Sequence, residues 1–152
     1  MGIEGKNIQV KYGENLVLKD ANIKVYDGEI VTIIGPNGSG KSTFIKALSR
    51  CLKPYSGNIY LYGVDMEEIP TKEIAKKIAV LPQVKNVSAD ITVENLVSYG
   101  RYPHLGFAKR LGKKDREIIY WAIDKTGLNP LKDRYVNTLS GGERQRAWIA
   151  MA

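Results

Sequence analysis

The stretch Gly35-Pro36-Asn37-Gly38-Ser39-Gly40-Lys41-Ser42 constrains this chain more than any other. It has the spacing G-x-x-x-x-G-K-S. An apolar run, Ile30-Val31-Thr32-Ile33-Ile34, precedes it, and a helix predicted from Lys41 to about Leu52, ended by Pro54, follows it. The glycines permit backbone angles that turn successive N–H groups inward and make a concave anion site. The helix that follows aims its positive end at the same place. Lys41 is expected to reach the β- and γ-phosphates of a nucleotide, and the Ser42 hydroxyl to ligate Mg²⁺. The competing reading is a glycine-rich turn with no ligand. Strand, loop and helix in this order point to an α/β fold with a phosphate-binding loop at its centre.

The rest of the chain reads around that loop. Ile8 to Tyr12 and Ala21 to Tyr26 alternate apolar and polar residues, the pattern of half-buried strands, with a turn at Gly13-Glu14-Asn15 and a hairpin signal at Asp27-Gly28. Ile30 to Ile34 is apolar on both faces, which predicts a strand buried centrally in a parallel sheet. Asn58 to Tyr62 is a predicted strand and Gly63-Val64-Asp65 a turn. Thr71 to Lys77 is a predicted helix, and Ile78 to Leu81 a second buried strand stopped by Pro82. Thr92 is a good N-cap, with Glu94 in the first turn, for a helix to about Tyr99. Lys114 to Thr126 carries Ile119, Ala122, Ile123 and Thr126 on one helical face, and Gly127 closes it. Ser140-Gly141-Gly142-Glu143 has the form of a capping box opening one more helix.

The formal net charge of +7 suits a polyanionic partner: nucleotide, nucleic acid or an anionic membrane face. From Asn95 to Lys114 there is no carboxylate, while Arg101, Lys109, Arg110, Lys113 and Lys114 are cationic; a solvated basic loop is the plainer reading. No apolar stretch is long enough to span a bilayer and no secretory leader is evident. Cys51 is the only cysteine, which excludes a disulfide framework and makes a cytosolic location the default. Among Ala47, Leu48 and Leu52 it reads as a small core residue. His104, the only histidine, reads as a loop residue and not as a metal ligand.

The second motif narrows the function. Leu139-Ser140-Gly141-Gly142-Glu143-Arg144-Gln145-Arg146 resembles the signature sequence of the ATP-binding-cassette (ABC) ATPases. Its short separation from Lys41 is similar to that of transporter cassettes, and leaves no room for the long coiled coil of the chromosome-maintenance and DNA-repair relatives. The resemblance implies a P-loop NTPase core of ABC type, with an N-terminal antiparallel β part and a helical insert. The expected divisions are 1–86 for the P-loop core with its β part, 87–138 for the helical subdomain, and 139–152 for the signature motif and the start of its helix. ATP and Mg²⁺ are the implied cofactors. Gly35, Pro36, Asn37, Gly38, Ser39, Gly40, Lys41, Ser42 and Thr43 would form the cradle. Tyr12 looks like the aromatic residue that stacks on adenine, and Gln83 like the glutamine that touches Mg²⁺ beside Ser42. Leu139, Ser140, Gly141 and Gly142 would meet the ATP of a second copy in a head-to-tail dimer.

The stretch after Gln83, with Tyr99-Gly100-Arg101-Tyr102-Pro103-His104, is similar to ATPases of importers for iron–siderophore, haem and cobalamin complexes. That resemblance implies a membrane permease docking near Gln83–His104, and a peripheral place on the cytoplasmic face of the membrane. In the ABC pattern an acidic strand, a catalytic glutamate and a histidine switch follow the signature, and none stands in these residues. The expectation is an incomplete cassette that binds nucleotide without turning it over and self-associates at its open edge. A nucleic-acid- or ribosome-associated ABC ATPase is the alternative, although no run of lysines with stacking aromatics supports a nucleic-acid partner. A non-catalytic nucleotide-binding fragment is a third reading.

Overall fold

The computed structural model describes residues 2–81, 90–106 and 110–152. Contacts divide the chain into two units, Met1–Ile78 and Ala79–Ala152.

The first unit is built on an antiparallel sheet. Strand β1 (Ile3–Tyr12) turns at Gly13-Glu14 into β2 (Asn15–Val25), and β3 (Ser56–Leu61) turns into the short β4 (Val64–Asp65). The order is β2-β1-β3-β4, with Tyr12 opposite Asn15 and Ile3 opposite both Val25 and Leu61. The predicted turn at Gly63–Asp65 is displaced: Tyr62 and Gly63 form it, with φ of +51° and +84°, and Val64 and Asp65 already pair with β3. Two positive φ angles in a two-residue loop match the right-handed twist of the strands it joins.

β1 is not regular. Its ladder shifts after Gly5 and after Lys6, and Asn7 sits there at φ +51°. The Asn7 N–H, out of the ladder, donates to Asn22 Oδ1 at 2.8 Å, and its side-chain amide donates to Asp20 Oδ1 at 2.9 Å. The extra residue turns Ile8 and Val10 into the core. There they meet Leu18, Ile59, Leu61, Met66, Ile74 and one face of helix α1 (Lys41–Leu48), namely Phe44, Ala47 and Leu48. On the opposite face of the sheet Glu4 is buried between Lys24, at 2.9 Å, and Lys6, at 3.3 Å. The Lys24 ammonium holds its carboxyl below the usual range, against the opposing effect of burial.

Several expectations for this unit are corrected. Ile30 to Ile34 forms no strand: Ile30 is 94% exposed, Ile34 87% and Val31 42%. Ile78 to Leu81 forms none either. Apolar composition on both faces predicts burial only where strands lie on either side, and among the described residues none does. Helix α1 ends at Leu48 and not at Leu52. Ser49 Oγ donates back to Ile45 O at 2.8 Å, and Arg50 adopts φ +58°, a turn that stops the helix. Cys51, beyond that end, is exposed rather than packed in the core. Helix α2 (Thr71–Ala75) is likewise shorter than predicted.

The second unit is helical. Its core joins Ile91, Val93, Leu96, Val97, Ile119, Ile123, Leu128, Val136, Leu139 and Ala147. Helix α3 (Val93–Tyr99) starts at Thr92, whose Oγ1 accepts from Asn95 N at 3.3 Å, as the sequence predicts. Helix α4 (Lys113–Lys125) buries Ile119 and Ile123, with Ala122 beside them, and Gly127 at φ +67° follows its end. Asp115 clamps the start of α4: it accepts from Gly112 N and from Arg101 Nε, each at 3.0 Å. The Gly112 N–H, and then the Arg101 guanidinium, hold its carboxyl below the usual range. Helix α5 (Gly141–Met151) crosses the end of α3 so closely that a Cβ on Gly100 would overlap Met151 O. No helix among the described residues is long and apolar enough to cross a membrane.

Candidate nucleotide-binding site

Gly35, Gly38 and Gly40 take φ values of +156°, +81° and +87°, all unfavourable to side chains. Ser39 N donates to Pro36 O at 3.3 Å, closing a turn, and Phe44 N donates to Gly40 O at 2.8 Å, starting α1. Gly40 also lies against β2: a Cβ there would come within 2.7 Å of Leu18 Cδ2. The loop is therefore seated on the sheet by its last glycine.

The start of α1 has no acidic residue in its first turn and no side chain capping it. The first N–H groups of a helix have no partner within the helix, and no carboxylate in the first turn offsets this positive end. Lys41 reaches back across the loop. Its Nζ donates to Gly35 O at 2.8 Å, to Pro36 O at 2.6 Å and to Ser39 Oγ at 3.3 Å. An ammonium beside the start of a helix can hold an anion there, and phosphate oxygens can replace the carbonyls as its acceptors. Ser42 is exposed beside it and Thr43 is half-buried, while Pro36, Asn37, Gly38 and Ser39 lie exposed along the loop. Tyr12, 49% exposed, ends β1; the hairpin it closes leads within three residues to Leu18, which touches Gly40. Tyr12 and the loop therefore belong to one end of one sheet, separated by about 10 Å of strand. Gln83 lies outside the described residues.

In the second unit Leu139 is buried and holds the start of α5 in the helical core. Ser140 makes the capping box in full. Its Oγ accepts from Glu143 N at 3.4 Å and donates to Glu143 Oε2 at 2.7 Å, and its own N–H donates to Glu143 Oε2 at 2.8 Å. These bonds from Ser140 hold the Glu143 carboxyl below its usual range. Gly141 and Gly142 are exposed, and a Cβ would meet open space at the first and only the end of Arg146, at 4.0 Å, at the second. Arg144, which the motif spacing does not single out, fastens the approach to this helix: its guanidinium donates to Asn137 O and Leu139 O, each at 3.1 Å. Its signal appears only once the turn at Val136–Thr138 is in place. Substituting Ser140→Ala is expected to lower the stability of the helical unit by about 1 kcal/mol, the usual worth of such a cap. Urea unfolding followed by Trp121 and Trp148 fluorescence measures it, and an unchanged midpoint would show the cap to be without weight.

A family model described as ABC transporter matches residues 18–152. The iron(3+)-hydroxamate import ATP-binding protein FhuC of Bacillus subtilis is 45% identical over 97% of this chain and 55% of its own length. The ferric enterobactin transport ATP-binding protein FepC of Escherichia coli is 42% identical over 98% of this chain and 55% of its own. The chain thus spans about half the length of the curated relatives it matches. A nucleotide-free ATP-binding cassette from an ABC transporter superposes with a TM-score of 0.86 at 27% identity, over 99% of this chain and 64% of that one. The dimeric structure of a bacterial ABC transporter cassette does so with a TM-score of 0.82 at 29% identity, over 98% and 68%. A glycine-rich loop at the start of α1, a capped helix at Ser140 and a family match over residues 18–152 agree: the chain belongs to the ABC transporter family, in its ATP-binding cassette.

Proposed function

We propose that this chain is the nucleotide-binding portion of the subunit that energises an ABC importer for iron–siderophore complexes or a related metal chelate. The observation that carries the reading is the start of α1, without acidic residue or side-chain cap, with the Lys41 ammonium gathered over the loop in front of it. The substrate class rests on relatives named for ferric hydroxamate and ferric enterobactin import. In this reading ATP places its phosphates on Gly35–Thr43, Lys41 meets the β- and γ-oxygens, and Tyr12 stacks on adenine. Mg²⁺ supplies charge neutralisation on the phosphates, and Ser42 and Gln83 are the residues to hold it. Leu139, Ser140, Gly141 and Gly142 of one copy face the γ-phosphate held by another, head to tail. Exposed glycines at Gly141 and Gly142, each costing helix stability that no contact within the chain requires, support close approach by a group from outside. A permease docks near Gln83–His104, which places the subunit at the cytoplasmic face of the membrane.

Ser140 is followed by a single carboxylate, Glu143, inside a helix, and the sole histidine precedes the signature. The chain as it stands therefore binds ATP without turning it over. Titration with a fluorescent ATP analogue in Mg²⁺ should show saturable binding that ATP displaces, with phosphate release at background. Absence of saturable binding would overturn the reading, as would turnover abolished by Lys41→Ala. A nucleic-acid partner stands second. Lys6, Lys11 and Lys77 lie over the rings of Tyr60, Tyr55 and Tyr62, occupying faces on which bases would stack.

A further inference from the structure

Strand β2 departs from a regular ladder on both sides of one residue. Ile8 of β1 stands opposite Ala21, Val10 opposite Leu18 and Lys11 opposite Leu16. From Ala21 to Leu18, and again from Leu18 to Leu16, β2 takes one residue more than β1. Leu16, Val17 and Leu18 are all partly or fully buried, three in a row, which the alternation of a regular strand forbids. Bulges of this kind re-aim side chains and gather beside functional sites. Here the re-aimed residues meet the glycine loop. A Cβ on Gly40 would lie 2.7 Å from Leu18 Cδ2, 3.4 Å from Val17 O and 3.5 Å from Val17 Cγ1. Leu18 also belongs to the same core as Phe44, whose N–H donates to Gly40 O. The other strand of this hairpin ends at Tyr12, opposite Asn15 and three residues short of Leu18 along β2.

We propose, on the reading that ATP lies with its base on Tyr12 and its phosphates on Gly35–Thr43, that Leu18 is a positioning residue which sets the spacing between these two contacts. The ribose gives a nucleotide a limited reach, so both contacts form together only when the loop stands at one height above the sheet. Binding groups tolerate a misplacement of only about 0.5 Å. Leu18 Cδ2 defines that height where it meets Gly40. Without it the last glycine can settle towards β2. The N–H groups of the loop turn with it and still converge on a phosphate, so a bare triphosphate is held as before. Adenine then misses Tyr12, and ATP loses what stacking contributes, about fivefold or more in affinity. Leu18 acts through Gly40 and touches neither base nor phosphate.

Calorimetric titration with ATP and with inorganic tripolyphosphate, at one Mg²⁺ concentration and ionic strength, tests this. The ratio of the two affinities is the readout, because the folded fraction of each variant cancels from it. In Leu18→Ala the ratio should fall by about fivefold or more, with tripolyphosphate affinity within about twofold of the unmodified chain. Leu18→Met, close in volume, should restore the ratio. Leu61→Ala removes as much from the same core, on β3, which β1 separates from β2, and should leave the ratio unchanged. An unchanged ratio in Leu18→Ala, or an equal fall in Leu61→Ala, would overturn the proposal. Should Leu18→Ala fail to fold by circular dichroism, Leu18→Val, which also lacks Cδ2, decides in the same way. Tyr12→Ala separates the spacing role from the reading beneath it. A ratio that falls in Tyr12→Ala but not in Leu18→Ala overturns the spacing role alone, and a ratio that falls in neither overturns the base platform as well.

Discussion

Lys41→Ala is expected to weaken nucleotide binding by about 10- to 100-fold while leaving the fold in place. Among the described residues the ammonium is the charged donor bonded to the loop, with acceptors at 2.6, 2.8 and 3.3 Å that phosphate oxygens would replace. A hydrogen bond to a charged group contributes about 1.5–3 kcal/mol, and each 1.4 kcal/mol is a factor of ten in affinity. The fold survives because α1 is held by Phe44, Ala47 and Leu48 on the sheet and not by Lys41. Lys41→Arg keeps the charge, but its planar fork does not fit a site built for a point charge, so an intermediate loss is expected. Titration of both variants with a fluorescent ATP analogue at fixed Mg²⁺ and salt measures this, with circular dichroism as the control. Affinity within twofold of the unmodified chain in Lys41→Ala would mean that Lys41 tethers the loop without touching phosphate.

Gly57→Ala should cost about 3–5 kcal/mol, a large share of the 5–15 kcal/mol that holds a typical domain together. Gly57 sits beneath the irregularity in β1 at φ +89°. A Cβ there would come within 2.5 Å of Lys6 O and 2.7 Å of the Asn7 carbonyl carbon, with Asn7 O closer still. These are backbone atoms, pinned in turn by the Asn7–Asn22 bond, so nothing can swing aside. Gly63→Ala is the control. Its φ is +84°, but a Cβ there meets open space, so only the conformational cost of roughly 1–2 kcal/mol remains. Urea unfolding of the two variants should therefore separate them by roughly 1–4 kcal/mol. Equal midpoints would mean that β3 shifts away from β1 to accommodate the methyl group.

Features written in short spacings were legible without coordinates. The glycine pattern before Lys41, the Thr92 cap, the Ser140–Glu143 box and the buried stripe of α4 each depend on partners within about four residues, so the local sequence contains all the participants. The fold class followed from them. Features whose partners lie far along the chain were not legible. Arg101 and Asp115 are fourteen residues apart, and Asn7 finds Asn22 at fifteen. Helix α1 is shorter than its sequence predicts because Ser49 looks as helical as its neighbours until its hydroxyl bonds back and Arg50 turns left-handed.

Ile30–Ile34 marks the boundary between the two kinds of information. Its composition determined that it would be apolar on every face, and the glycines after it that a tight loop would follow. Whether those apolar faces were covered depended on strands lying alongside, which no pattern within five residues can specify. Among the described residues the three-dimensional arrangement left Ile30, Val31 and Ile34 exposed and packed Ile33 on the core, while it seated Gly40 on Leu18 and drew Lys41 across the loop. Hydrogen bonds between near neighbours are written in the order of the residues, whereas burial depends on every other segment that could share the space.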